Sequence, residues 1–237
     1  TMPRILTQAD DTVAELAQCI DALDSAGFDP GVEESLHHAA LWLRRLGNNA
    51  TFLGDLLIKE LAARHRDDVL ENSYGPQVIM LRPPRGDYFI RANIWPSADE
   101  HMVRASGTGA FAYGLPHDHN FDFLTLGYFG PGYWSDYFAY DYAEVTGWRG
   151  EAVPSLTFVE RARLEPCRIM RYRAHRDVHA QLAPDALSGE DGIEIGHPLA
   201  QQLLIDTRDE RVVATRLSRA THWLLEEHQI KGGEALI

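Results

Sequence analysis

The chain has 237 residues, a formal net charge of -13 and an apolar content of 45%. These values are typical of a globular chain with one large domain, and the negative charge argues against nucleic-acid binding because phosphates would be repelled. No apolar run reaches the roughly 18 residues that cross a bilayer, and no signal-peptide pattern is present, so we expect no membrane contact. Cys19 and Cys167 lie far apart and do not resemble a disulfide framework, so we expect a cytoplasmic protein.

Residues 1–72 are predicted to form a helical segment. Apolar residues recur at helical spacing in three successive runs, and Gly27 and Gly47 are suited to end the first two runs. None of these runs carries a cluster of metal-binding side chains. We therefore expect the segment to pack against a sheet or another subunit, and a homodimer is one of the oligomeric states left open.

Residues 73–237 are predicted to form a single β-barrel with a C-terminal helix. The pattern here changes to short β-type runs that proline, glycine and aspartate separate. These runs are residues 77–81, 88–95, 110–113, 121–126, 133–142, 155–159, 167–173, 202–205 and 212–217. Many short strands at intervals of about 10 residues are typical of a sandwich or a barrel. The closing helix is predicted at residues 221–228.

A His-X-His pattern opens one of the β-type runs. Alternate side chains of an extended strand share a face, so His117 and His119 share a face with Phe121 and Phe123, whereas Asp122 faces the other way. Two imidazoles on one face can bind one metal ion when a third donor arrives from another strand. The pattern therefore predicts a metal site in an apolar lining.

A second pair of histidines lies further along the chain, at His175 and His179. If this segment is also extended, both histidines share a face with Asp177. Either histidine can supply the third metal ligand. We expect the other histidine, or Asp177, to orient a ligand and to tune protonation at the site.

The aromatic run after the first histidine pair also bears on the site. Residues 121–128 and 133–142 are predicted to pair as a hairpin around the Gly130-Pro131-Gly132 turn. These aromatic residues either fill the barrel core or a subunit interface, or they place an inward tyrosine (Tyr133, Tyr137 or Tyr140) near the metal. Tyr133, at the start of the second strand, is the candidate for a role at the site if it faces inward. Its hydroxyl would then tune protonation near the metal, because a buried tyrosine hydroxyl needs a polar partner.

Two arginines lie within β-type runs, Arg91 and Arg173. We interpret both as parts of solvated strand faces. The alternative is an inward arginine that binds a substrate carboxylate through two parallel hydrogen bonds.

The histidine pattern resembles the first motif of the cupin superfamily, whose fold is a double-stranded β-helix, or jelly-roll barrel. That motif has His-X-His, a glutamate three or four residues later and a glycine further on. His117 and His119 supply the histidines, and Gly130 lies in the glycine slot. The glutamate slot holds Phe123 or Leu124, so the carboxylate ligand of the motif is missing. The resemblance implies a mainly-β fold with an N-terminal helical segment.

A cupin with three histidines and no carboxylate is similar to the thiol dioxygenases, such as cysteine dioxygenase, which hold Fe(II) with three imidazoles. The resemblance covers residues 76–217, and the phase of the preceding strand favours His179 as the third ligand. It implies a cytoplasmic Fe(II)-dependent dioxygenase that uses O2 and a small polar substrate. Imidazole also suits Zn, Ni and Cu, so iron follows from the resemblance and not from the ligand type. Two alternatives share the barrel and the ligands: a non-catalytic ligand-binding or sensory cupin, and a metal-dependent isomerase or lyase.

Overall fold

The computed structural model describes residues 4–29, 31–64, 78–85, 88–145, 153 and 155–195. Its helices are α1 (Leu16–Ala26), α2 (Glu33–Gly47), α3 (Phe52–Arg64) and α4 (His101–Ser106). Its strands are β1 (Arg4–Leu6), β2 (Val78–Arg85), β3 (Tyr88–Trp95), β4 (Asp122–Phe129), β5 (Tyr133–Ala139), β6 (Thr157–Leu164), β7 (Ile169–Tyr172), β8 (Val178–Gln181) and β9 (Ser188–Ile195). Among the described residues, no helix combines the length and the apolar character that a membrane span requires.

The described strands form two antiparallel sheets. The first sheet has six of these strands in the order β1-β7-β4-β9-β3-β2, and the second has three in the order β6-β5-β8. The N-terminal helices precede all but the first strand. This arrangement confirms the predicted fold class, which is mainly β with an N-terminal helical segment.

The helices pack on the outer face of the first sheet. Leu36, Leu43 and Leu46 of α2 are fully buried, and they join one apolar core with Ile90 of β3 and Leu124 of β4. Burial of each such side chain stabilises the fold by roughly 1.5–3 kcal/mol. The helical segment therefore packs against a sheet, which is one of the two alternatives expected from the sequence.

A second apolar core lies between the two sheets. It contains Trp95, Phe123, Tyr133, Tyr137, Ala162, Leu164, Met170 and Tyr172. Because side chains alternate along a strand, β4 directs Phe123 into this core and Leu124 toward the helices. The interior between the sheets is where the predicted metal ligands meet.

The predicted hairpin between residues 121–128 and 133–142 is wrong. β4 pairs with β7 and β9 on its two edges, so neither edge is open to β5. After β4 the chain passes through Gly130 and Gly132, whose φ values are 77° and 76°, and it crosses to the second sheet. There β5 pairs with β6 and β8.

Strand β9 lies in the middle of the first sheet and was not predicted from the sequence. Its sequence is rich in glycine and acidic residues, which are depleted in strands. It forms a strand because β3 and β4 flank it and pair with its backbone. A side chain at Gly189 would collide with the ring of Phe129, so glycine is required where the aromatic ring crosses the strand.

Two other predictions about local structure differ from the structure. Residues 110–113 were predicted as a strand, but a 3-10 helix occupies Thr108–Phe111. The N-terminal segment also contains a strand, since Arg4–Leu6 pairs with β7 at the edge of the first sheet. The runs at 202–205 and 212–217 and the helix at 221–228 lie outside the described residues.

Candidate metal centre

The three predicted ligands come together between the sheets. The ligand-type nitrogens of His117, His119 and His179 all lie within 4.8 Å of one another. His117 and His179 are buried, and His119 is half-buried. Among the described residues this cluster contains only histidines, as the missing glutamate predicted.

Backbone pairing brings the two parts of the cluster together. His117 precedes β4 and His179 lies in β8, and the two form an isolated antiparallel bridge. The amide of His117 donates to the carbonyl of His179 at 2.9 Å, and the reverse bond is 2.8 Å long. The segment that carries the first histidine pair therefore extends the edge of the second sheet before β4 enters the first.

The ring geometry fits a shared metal ion. Nε2 of His119 lies 3.2 Å from Nε2 of His179. Two imidazoles bound to one ion at ~2.1 Å have their nitrogens ~3.0–3.4 Å apart, depending on the coordination angle. Nδ1 of His117 lies 2.9 Å from the carbonyl of Leu115. A carbonyl only accepts, so Nδ1 carries the proton and Nε2 is left for a metal.

Electrostatics keep the three imidazoles neutral. Burial lowers the pKa of His117 and lowers the pKa values of His119 and His179 well below their usual range. The neighbouring imidazoles lower the pKa values of His119 and His179 further, because two adjacent positive charges repel. Neutral imidazole is the form that binds metals, so the cluster is prepared for an ion at neutral pH. Three nitrogen donors suit Fe, Zn, Cu and Ni.

Aromatic rings form one wall of the site, on the face that strand alternation predicted. The ring of His119 lies 5.2 Å from that of Phe121 and 4.7 Å from that of Phe123. Phe123 stacks on Tyr172 with centroids 4.4 Å apart, and Tyr172 lies 4.8 Å from His179. Beneath this wall the hydroxyl groups of Tyr137 and Tyr172 share a hydrogen bond of 2.8 Å.

Tyr133 faces the interior, but its hydroxyl is bound to a carboxylate. It donates to Glu190 of β9 at 2.6 Å, and Thr125 donates to the same carboxylate at 2.8 Å. The side-chain amide of Asn93 donates a third hydrogen bond to the Glu190 carboxylate, at 2.9 Å. Because β9 was not predicted, this buried network was not anticipated from the sequence.

His175 and Asp177 lie outside the cluster of three histidines. The backbone at His175 is left-handed, with φ of 56°, so the predicted extended segment is broken by a turn before β8. Asp177 accepts three hydrogen bonds from Arg173, including one from its backbone amide. His175 packs against Tyr142, with ring centroids 4.3 Å apart. The position of the rings favours His179 over His175 as the third ligand.

The interpretation of Arg91 as part of a solvated face is wrong. Its neighbours Ile90 and Ala92 pack toward the helices, while Trp95 lies in the core between the sheets. Strand alternation therefore directs Arg91 into the interior, where its Nε atom is buried. Its charge lowers the pKa values of His117 and His119. The alternation of β3 was visible in the sequence and could have located this residue.

No protein-family model and no curated protein matches the sequence. Solved structures that resemble the fold include a cupin protein from Bacteroides fragilis, at 12% identity and a TM-score of 0.29, with 48% of this chain and 70% of that chain covered. Hydroquinone 1,2-dioxygenase from Sphingomonas sp. TTNP3 has 13% identity and a TM-score of 0.34, with coverages of 53% and 70%. A putative mannose-6-phosphate isomerase from Ralstonia eutropha JMP134 has 12% identity and a TM-score of 0.28, with coverages of 56% and 99%. Similarity at this level does not assign a reaction.

Proposed function

We propose that the protein is a metal-dependent oxidoreductase in which His117, His119 and His179 bind one Fe(II). We propose further that it is a dioxygenase that acts on a small polar molecule. The observation that carries this proposal is the set of three neutral imidazoles in one cluster. His117, His119 and His179 would hold Fe(II) with neutral donors, so the ion would keep its positive charge and would supply binding of a substrate and O2.

The side chains around the cluster are suited to this chemistry. The rings of Phe121 and Phe123 lie against one side of His119, and an apolar wall there would strengthen electrostatic interactions inside the site. The interior charge of Arg91 favours a substrate with a negatively charged group. The role of Tyr133, His175 and Asp177 in protonation stays a prediction.

Metal analysis of the protein, purified without added metal, tests the proposal. We expect about one iron per chain, and we expect the His119→Ala variant to lose it because only two ligands would remain. His101→Ala is the matched control, because His101 is exposed on α4 and should leave the iron content unchanged. Iron at this occupancy would be followed by O2-consumption assays with thiols and amino acids.

Other outcomes of the same analysis separate the alternatives. Zinc or nickel at full occupancy, with no O2 consumption, would favour a metal-dependent isomerase or lyase. Absence of any metal from the wild-type protein, even after anaerobic loading with Fe(II), would contradict the proposal. It would leave a ligand-binding or sensory role.

A further inference from the structure

Asp118 lies between the two histidines of the His-X-His pattern and faces away from them. It is 1% exposed. Residues from two other parts of the chain cover its side chain, which lies outside the cluster of imidazoles. Tyr140 follows β5, and His175 lies in the turn between β7 and β8. Together with Tyr142, these residues form what we call the Asp118 cluster.

Residues 115–121 carry His117 and His119, and we call them the ligand segment. Contacts within the Asp118 cluster reach both a side chain and the backbone of this segment. The Tyr140 hydroxyl donates a hydrogen bond to Oδ2 of Asp118. Nδ1 of His175 lies 3.8 Å from the same oxygen. The backbone amide of His175 donates to the carbonyl of His119 at 3.0 Å. The ligand segment is therefore held at two successive residues, one of which is a metal ligand.

The turn that carries His175 is itself held in place. A left-handed conformation at a residue other than glycine costs roughly 1 kcal/mol, and it persists where the surrounding contacts impose it. The Asp122 carboxylate accepts a hydrogen bond from the amide of Ala174 at 2.8 Å. Asp177 binds Arg173 at the start of the same turn. These contacts set the backbone that presents His175 to Asp118.

The ligand segment lacks the support that a strand would give it. Between Leu115 and Phe121 its only regular pairing among the described residues is the bridge from His117 to His179. β4 begins at Asp122, after both ligands. A metal site requires ligands held to within roughly 0.5 Å, which a short irregular segment does not achieve by itself.

We propose that the Asp118 cluster is a positioning device for the metal ligands. It fixes the backbone between His117 and His119, so that both imidazoles face the ion before the ion binds. The inference rests on the proposed metal site. The residues of the Asp118 cluster would touch neither the ion nor a substrate, and they would act through the ligand segment.

The test compares Co(II) binding by the wild-type protein, Asp118→Asn and Tyr140→Phe. Tyr140→Phe removes one hydroxyl and keeps the ring, so it decides the question if Asp118→Asn does not fold. Tyr128→Phe is the matched control, because the Tyr128 hydroxyl donates to the carbonyl of Asn49, away from the site. Titrations would give the Co(II) affinity, and visible absorption of the bound Co(II) would report the ligand geometry.

We expect each site variant to bind Co(II) about 10-fold more weakly than the wild type, with shifted absorption bands, as is typical when partners that orient ligands are removed. The control should match the wild type in both measurements. Wild-type affinity and spectra in folded site variants would overturn this inference alone. So would an equal loss in Tyr128→Phe, which would indicate a general effect on stability. A wild-type protein that binds no Co(II) would overturn both this inference and the proposed metal site.

Discussion

The two histidines of the second segment allow a sharp test of the ligand set. Nε2 of His179 lies 3.2 Å from that of His119, whereas the ring of His175 lies beside Asp118, with its Nδ1 atom 3.8 Å from Oδ2 of that residue. Replacement of His179 by alanine should therefore abolish stabilisation by metal. Replacement of His175 by alanine should weaken the stabilisation and leave most of it, because a positioning contact is lost and the three ligands remain.

The size of each effect follows from binding linkage. Free metal at about 1,000 times Kd stabilises a folded protein by about 4.1 kcal/mol, and at about 100 times Kd by about 2.7 kcal/mol. For a chain of 237 residues, 1 kcal/mol corresponds to about 2–4 °C in Tm. The wild-type protein should gain about 8–16 °C at the higher ratio. His175→Ala, with a 10-fold weaker site, should gain about 5–11 °C, and His179→Ala almost nothing.

Thermal unfolding monitored by circular dichroism, with and without Co(II), measures these shifts. Each variant is compared with its own metal-free form, so that effects of the substitution on packing cancel. His101→Ala should reproduce the wild-type shift. A full metal-induced shift in His179→Ala would refute the ligand assignment. A complete loss in His175→Ala with retention in His179→Ala would exchange the roles of the two histidines.

Three further results are expected. The metal-free protein should lose stability as the pH falls below about 6.5, because burial lowers the pKa values of the three clustered histidines and the unfolded chain then binds more protons. These histidines should not change the free energy of unfolding above that pH. Urea unfolding at several pH values measures this dependence, and a free energy of unfolding that does not fall at acidic pH would contradict the prediction. Glu190→Ala should lower the free energy of unfolding by roughly 3 kcal/mol or more, since three buried donors lose their acceptor; a loss below roughly 1 kcal/mol in urea unfolding would argue against this network. Gly130→Ala should destabilise the protein more than Gly27→Ala, because both glycines have positive φ but only at Gly130 does a new side chain collide with the Leu187 carbonyl. Equal unfolding free energies for these two variants would show that the collision is relieved.

The sequence by itself determined which side chains share a local face. The alternation of His117, His119, Phe121 and Phe123 predicted two imidazoles in an aromatic lining, and the structure has this arrangement. Such a prediction succeeds because the two-residue period of an extended segment depends only on neighbouring residues. The helical segment was predictable for the same reason, since its apolar period is also local.

Only the tertiary structure decided which segments meet. The sequence left His175 and His179 as alternatives because both share a face if the segment is extended. A turn with a left-handed residue at position 175 breaks that extension, and the histidine spacing does not indicate this turn. β9 and its buried Glu190 were missed because a glycine-rich acidic run becomes a strand only when two neighbours pair with it. Asp118 meets Tyr140 and His175 because the chain crosses between the two sheets. These crossings depend on long-range packing, which the local spacing of residues in the sequence does not indicate.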